Sequence, residues 1–181
     1  IRRQRQMCIR DSIKWNPAVK TAEDREQIRA AILDGRIDVV ATDHAPHTKE
    51  EKNGSYFKAP SGGPLVQHAL VAMLDMVHDG VLPVEKVADL MAHRVARLFR
   101  MPDRGFIRPG MKADLVLVHP NDPWTVREDN VMSKCGWSPF TGHTFKSRVH
   151  ETWVNGTCVW NGRRITTSHG NHAGQRLSFN R

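Results

Sequence analysis

One short apolar run constrains this chain more than any other feature. Ile37-Asp-Val-Val-Ala-Thr42 has the length and β-branched content of a buried strand, and it stands alone between helical patterns. Ahead of it, Asn16-Pro17 marks a turn, and Thr21-Ala-Glu-Asp24 predicts an N-cap with acidic residues in the first turn. Ile28, Ala31 and Ile32 then lay an apolar stripe on a helix that should stop near Gly35. After the run, residues 43–64 form a polar loop too long to be mere connection. Leu65, Ala69, Ala72, Met73 and Met76 return to helical spacing, and residues 84–91 and 95–99 give two further short helical patches. The texture changes around residues 101–109. Residues 113–118, 149–154 and 157–160 are β-type, with Asn155-Gly156 as a hairpin signal between the last two. A Pro-, Trp- and Gly-rich stretch fills 119–146. One strand and its helix, followed by a β-rich end, cannot close a barrel or a doubly wound sheet. The pattern predicts the end of something larger.

The chain carries a formal +8 with 27 basic and 19 acidic residues, a balance that points first to nucleic acid. Its distribution argues otherwise. Arg2, Arg3, Arg5 and Arg10 against Asp11 place three of those eight charges in the first twelve residues. The other basic residues are scattered, without the aromatic interleaving that single-strand binding uses. Residues 1–12 lack periodicity and do not lead into the next segment, so they are expected to be a non-native or disordered extension. No apolar run approaches the roughly 20 residues of a membrane span, and Cys8, Cys135 and Cys158 are too few and scattered for a disulfide framework. A cytoplasmic protein is expected, with no membrane and no nucleic acid among its partners.

The long loop is where chemistry should be sought, because parallel α/β folds place functional groups at the carboxyl ends of strands. It opens with Thr42-Asp-His-Ala-Pro-His47. An aspartate just after a strand suits a metal ligand or a general base near a metal-bound water, and Pro46 fixes the point from which His47 projects. The residues alone leave a second reading open: Asp43 caps the turn and both histidines are solvated. Asp43 and His47 are at most two ligands, fewer than zinc takes from a protein.

These residues resemble the dihydroorotases, members of the amidohydrolase superfamily of metal-dependent (β/α)8 barrels. The hexapeptide after an apolar strand is similar to that family's strand-eight signature. Lys14-Trp-Asn-Pro17, Glu50-Glu-Lys52, Lys58-Ala-Pro60 and Gly62 keep the family's spacing. Gly105-Phe-Ile-Arg-Pro-Gly110 with Lys112-Ala-Asp-Leu-Val116 looks like the return to a small β domain, and Ser138-Pro-Phe140, Gly142 and Val154-Asn-Gly156 like its closing segment. The likeness covers residues 13–181. The fold class it implies is α/β: the C-terminal part of a (β/α)8 barrel (residues 13–102) plus part of a small β-sandwich domain with a C-terminal tail (103–181).

The resemblance further implies a zinc enzyme, with one or two ions, that interconverts N-carbamoyl-L-aspartate and L-dihydroorotate. Asp43 would then be both a metal ligand and the catalytic proton carrier. Asn16, His47, Ser61 and Gly62 would hold substrate, the last two through main-chain groups. His47 favours dihydroorotases over allantoinases and hydantoinases, which usually carry another residue there. His44 is read as supporting or packing, His68 and His93 as partly buried or solvated helix residues, and the five tryptophans as packing anchors. One local departure is Ser61-Gly62-Gly63-Pro64, where many relatives have an aromatic residue and then glycine. The larger departure is that the family's H-x-H-x-R, bridging lysine and further metal-binding histidines have no counterpart here. The expectation is a carboxyl-terminal fragment, inactive alone, of a parent that is a homodimer or associates with aspartate carbamoyltransferase. Another cyclic amidohydrolase, or a non-catalytic scaffold of the same fold, are the alternatives.

Overall fold

A computed structural model describes residues 14–55, 57–166 and 173–180. The expectation for residues 1–12 lies outside them. The described residues fall into two compact units, one built from 14–36, 41–72 and 125–145, the other from 37–40, 73–124 and 146–180.

The first unit begins with α1 (Ala22–Leu33), which starts where its sequence dictates. Thr21 Oγ1 accepts the Asp24 N–H at 3.2 Å, and the Asp24 carboxylate accepts the Thr21 N–H at 2.9 Å. This reciprocal box satisfies donors that a helix start leaves orphaned. The helix ends at Asp34, and Gly35 leaves it at φ +88°. A second box on Thr48 and Glu51 starts the single turn α2 (Lys49–Lys52). Helix α3 (Ala69–His78) starts four residues later than the apolar spacing suggests. The N–H groups of Leu65 and Val66 are taken up by a side chain of the preceding loop, so the chain turns there before it can coil. Further along, the short strands β2 (Trp124–Thr125) and β3 (Thr144–Phe145) pair, and Val126 extends the contact through bonds with Gly142 and His143. The core of this unit gathers Ala59, His68, Val71, Val126, Trp137 and Phe145.

In the second unit, α4 (Val84–Ala88) and α5 (Arg94–Leu98) are joined by a wider π-type turn over Asp89–His93. The two helical patches of the sequence are thus one continuous helical run. No glycine or proline separates them, and the mid-helix bulge absorbs the irregular spacing. Asp89 spans the bulge, accepting from Arg94 Nε at 2.6 Å with Arg97 Nη1 at 3.5 Å.

The expected buried strand does not form. Residues 37–42 make no strand, and all six are exposed or only half-buried. A strand exists only with a partner that supplies its hydrogen bonds. Here the helical run supplies them instead: the Val40 N–H donates to the Leu90 carbonyl at 3.2 Å, and Arg94 Nη1 donates to the Ile37 carbonyl at 3.4 Å.

Strands β1 (Leu115–His119), β4 (Arg148–Val154) and β5 (Thr157–Trp160) form an antiparallel sheet in the order β1-β4-β5. Leu115 faces Trp153, and a bulge falls between Leu117 and Val118. The β4–β5 hairpin turns at Asn155 (φ +49°) and Gly156 (φ +79°), as the Asn-Gly pair predicts. Asp114 explains why an aspartate stands before β1. One oxygen accepts the Asn155 N–H at 2.7 Å, and the other accepts Arg104 Nη1 at 2.7 Å in a largely buried pair. The hairpin is thereby anchored to the segment ahead of the sheet.

Candidate active site

The loop after residue 42 is organised by a few polar contacts. Asp43 sits at φ +44°, in the left-handed region that costs an ordinary residue about 1–2 kcal/mol and that aspartate tolerates better than most. Its carboxylate is on an exposed residue. The conformation is held by its neighbour. His44 Nδ1 accepts the main-chain N–H groups of Leu65 (3.1 Å) and Val66 (3.2 Å). A nitrogen that accepts carries no proton, so the neutral ring holds its hydrogen on Nε2. His44 also bridges to Gly63, and the Ala45 N–H donates to the Gly63 carbonyl at 3.1 Å. His44 therefore supports the loop.

His47 is half-buried, with Nδ1 3.4 Å from Glu51 Oε2. Its carbonyl accepts Trp137 Nε1 at 2.7 Å, so a buried indole fixes the main chain at this position. Asn16 is exposed and precedes a cis peptide bond to Pro17.

Segment 60–63 packs against both regions. Ser61 is half-buried, whereas Gly62 and Gly63 are buried. The Gly62 N–H donates to the Lys14 carbonyl at 2.9 Å, and its own carbonyl accepts Lys52 Nζ at 3.0 Å. A Cβ on Gly62 would lie 2.6 Å from Ala45 Cβ, and one on Gly63 2.9 Å from the Trp15 ring. The close approach these glycines permit is thus made by the protein itself. Of the residues singled out from the sequence, the contacts tie the segments of Asn16, Asp43, His47, Ser61 and Gly62 into one network.

The supporting part expected of His44 agrees with these contacts, but the contacts of two residues in the network were not legible. Lys52 is 2 % exposed, and its sequence position gives no sign of that burial. The acceptor role of His44 had no local signal, because its donors lie 21 and 22 residues away.

His68 is buried among Phe140 and Phe145, with Nδ1 3.2 Å from Ser138 Oγ. Burial lowers its pKa from 6.5 to about 4. The unfolded chain therefore takes up a proton below pH 6.5 that the folded chain refuses until about pH 4. Stability from this residue is complete above pH 6.5 and lost as the pH falls from 6.5 to 4. Urea unfolding at pH 7 and pH 4 should show the stability gap between the native protein and His68→Gln shrinking by at most about 3 kcal/mol at the lower pH. A gap independent of pH would contradict a neutral buried imidazole.

Among the described residues there is no group of three His, Cys, Asp or Glu side chains able to hold a metal ion. Zinc takes three or more protein ligands, so Asp43 by itself would not make a metal centre.

The sequence profile of the amidohydrolase family matches residues 54–160, more than half of the chain. The chain belongs to that family. Its sequence is dihydroorotase-like: it is 42% identical to a dihydroorotase of Halobacterium salinarum over 162 residues, which cover 90% of this chain and 38% of that protein. A dihydroorotase of Clostridium acetobutylicum is 38% identical over 148 residues, 81% of this chain and 35% of the relative. The chain thus spans a little over a third of the length of these curated relatives. Among solved structures, a D-hydantoinase (dihydropyrimidinase) from Thermus sp. superposes with a TM-score of 0.82 at 22% identity, covering 88% of this chain and 36% of that one. An L-hydantoinase (dihydropyrimidinase) from Arthrobacter aurescens gives 0.80 at 28% identity, covering 85% and 35%. The fold is α/β, of the amidohydrolase kind.

Proposed function

We propose that the full-length protein is a dihydroorotase, which opens L-dihydroorotate to N-carbamoyl-L-aspartate and closes it in reverse. The observation that carries this reading is the Asp43–His47 loop: a left-handed aspartate held by a neighbour whose ring is pinned to residues 65 and 66. It occurs in a chain 42% identical to a dihydroorotase. The barrel and β-sandwich assignments, at 13–102 and 103–181, belong to the same proposal. So does zinc, one or two ions with Asp43 as one ligand. The described residues do not make a zinc site by themselves.

In ring opening, water adds to the ring carbonyl carbon, and the Asp43 carboxylate takes its proton. The same proton goes to the ring nitrogen as the carbon–nitrogen bond breaks. In closure the steps run backwards, with Asp43 as base toward nitrogen and acid toward the departing oxygen. Asn16 offers both a donor and an acceptor to a ring that has both. His47 faces the substrate carboxylate, its position set by Trp137 and Glu51. Ser61 contributes main-chain groups, and Gly62 the second lone pair of its carbonyl. A cytoplasmic enzyme, as a homodimer or with aspartate carbamoyltransferase, completes the reading; no helix of the described residues is long and apolar enough to cross a membrane.

The full-length protein is expected to open dihydroorotate at least about tenfold faster than hydantoin or allantoin, because only dihydroorotate of the three carries a ring carboxylate for His47. Equal rates on all three would overturn the substrate assignment. Absence of turnover on any would favour a scaffold, a reading weakened by the presence of Asp43, His47 and Asn16 together.

A further inference from the structure

Lys52 is the least expected residue of the network, a lysine with 2 % of its surface exposed on a four-residue helix. Its Nζ donates to three main-chain carbonyls: Pro60 at 2.8 Å, Gly62 at 3.0 Å and Lys14 at 3.3 Å. An ammonium has three N–H donors, and here each has an acceptor. Its charge also lies 6.0 Å from the ring of Trp137, the residue that holds the His47 carbonyl. Burying a lysine is costly even when it is fully hydrogen-bonded, and an apolar side chain of similar length would fill the same space. What the ammonium does that an apolar chain cannot is tie two stretches of backbone, at residue 14 and at residues 60–62, to the turn that carries it.

The identity of those stretches carries the inference. Lys14 is two residues from Asn16. Pro60 and Gly62 flank Ser61. Lys52 itself sits on the turn that begins immediately after His47, with its own N–H bonded to the Thr48 carbonyl at 3.0 Å. The segments of Asn16 and Ser61 therefore meet on this one nitrogen, which is carried by the turn that follows His47. We propose that Lys52 is a positioning residue for substrate binding: it sets the spacing of the Asn16, His47 and Ser61 segments while touching no substrate atom. This rests on the assignment of those residues to substrate made above.

The test uses the full-length protein and whichever cyclic amide the unaltered protein opens, so a mistaken substrate assignment shows in the unaltered protein and leaves the question about Lys52 intact. Lys52→Met keeps the length of the side chain and removes its donors. KM is expected to rise about 30- to 100-fold with kcat changed less than threefold, since misplacement by about 1 Å can cost some 100-fold in an organised site. Lys52→Arg keeps charge and donors, but its planar fork cannot present three hydrogens to carbonyls converging on one atom. Its KM should rise about three- to tenfold, between the other two. Circular dichroism and the melting temperature identify which variants are folded, and kinetics are read well below melting. If Lys52→Met does not fold, Lys52→Arg decides. A folded variant whose KM matches that of the unaltered protein would overturn the proposal, and so would a loss confined to kcat or to the fraction of active protein.

Discussion

Replacing Asp43 with asparagine in the full-length protein is expected to lower kcat at least about 1,000-fold, in ring opening and ring closure alike. Asparagine has the shape of aspartate and shares its tolerance of the left-handed region, so the loop at φ +44° should persist. What disappears is a group that accepts a proton. In the proposed mechanism the same carboxylate carries that proton in both directions, so the two rates must fall together. Asp43→Ala should be equally inactive, with a small loss of stability besides, since alanine is strained at this φ. Steady-state rates in both directions, with melting curves for each variant, make the measurement. Near-normal turnover in Asp43→Asn would remove Asp43 from the chemistry, as would a large loss in one direction only.

The parts of this structure that could be read in advance are those fixed within a few residues. The Thr21–Asp24 box, the stop at Gly35 and the Asn155-Gly156 hairpin each depend on neighbours at most a few positions apart, and each is where its residues put it. The run at residues 37–42 fails for the complementary reason. Its apolar, β-branched composition describes a strand's interior, but pairing depends on a partner elsewhere in the chain, and its polar groups bond to Leu90 and Arg94 instead. The candidate site divides in the same way. Asp43 and His47 announce themselves by chemistry and by resemblance to a known family. Lys52 belongs to an element that keeps the family's spacing, but nothing local says that its side chain is buried beneath Pro60 and Gly62. The contacts of Gly62 and Gly63 with Ala45 and Trp15 are equally distant in sequence.

Those glycine contacts set the second large expectation, which concerns stability. Gly62→Ala should destabilise the protein by about 2–4 kcal/mol, adding the cost of an alanine at positive φ to that of an overpacked contact. Gly62 has φ +96°, and the new Cβ would start 2.6 Å from Ala45 Cβ. The atom it meets is bonded directly to backbone, so no side-chain rotation relieves the overlap. Either residues 43–47 or residues 60–63 must move. Movement of 60–63 strains the bonds from the Gly62 N–H to Lys14 and from Lys52 to the Gly62 carbonyl. Movement of 43–47 disturbs the bridge between His44 and Gly63 that holds the left-handed aspartate. Gly142→Ala is the matched control, because Gly142 has a similar φ of +87° and no heavy atom within 4 Å of the added Cβ. It should cost only the backbone contribution, about 1 kcal/mol. Urea unfolding of both variants isolates the contact as their difference, and kcat/KM should fall in Gly62→Ala alone. If the two variants unfold at the same urea concentration, segment 60–63 is not clamped against Ala45, and residues 43–47 are held to it by other contacts.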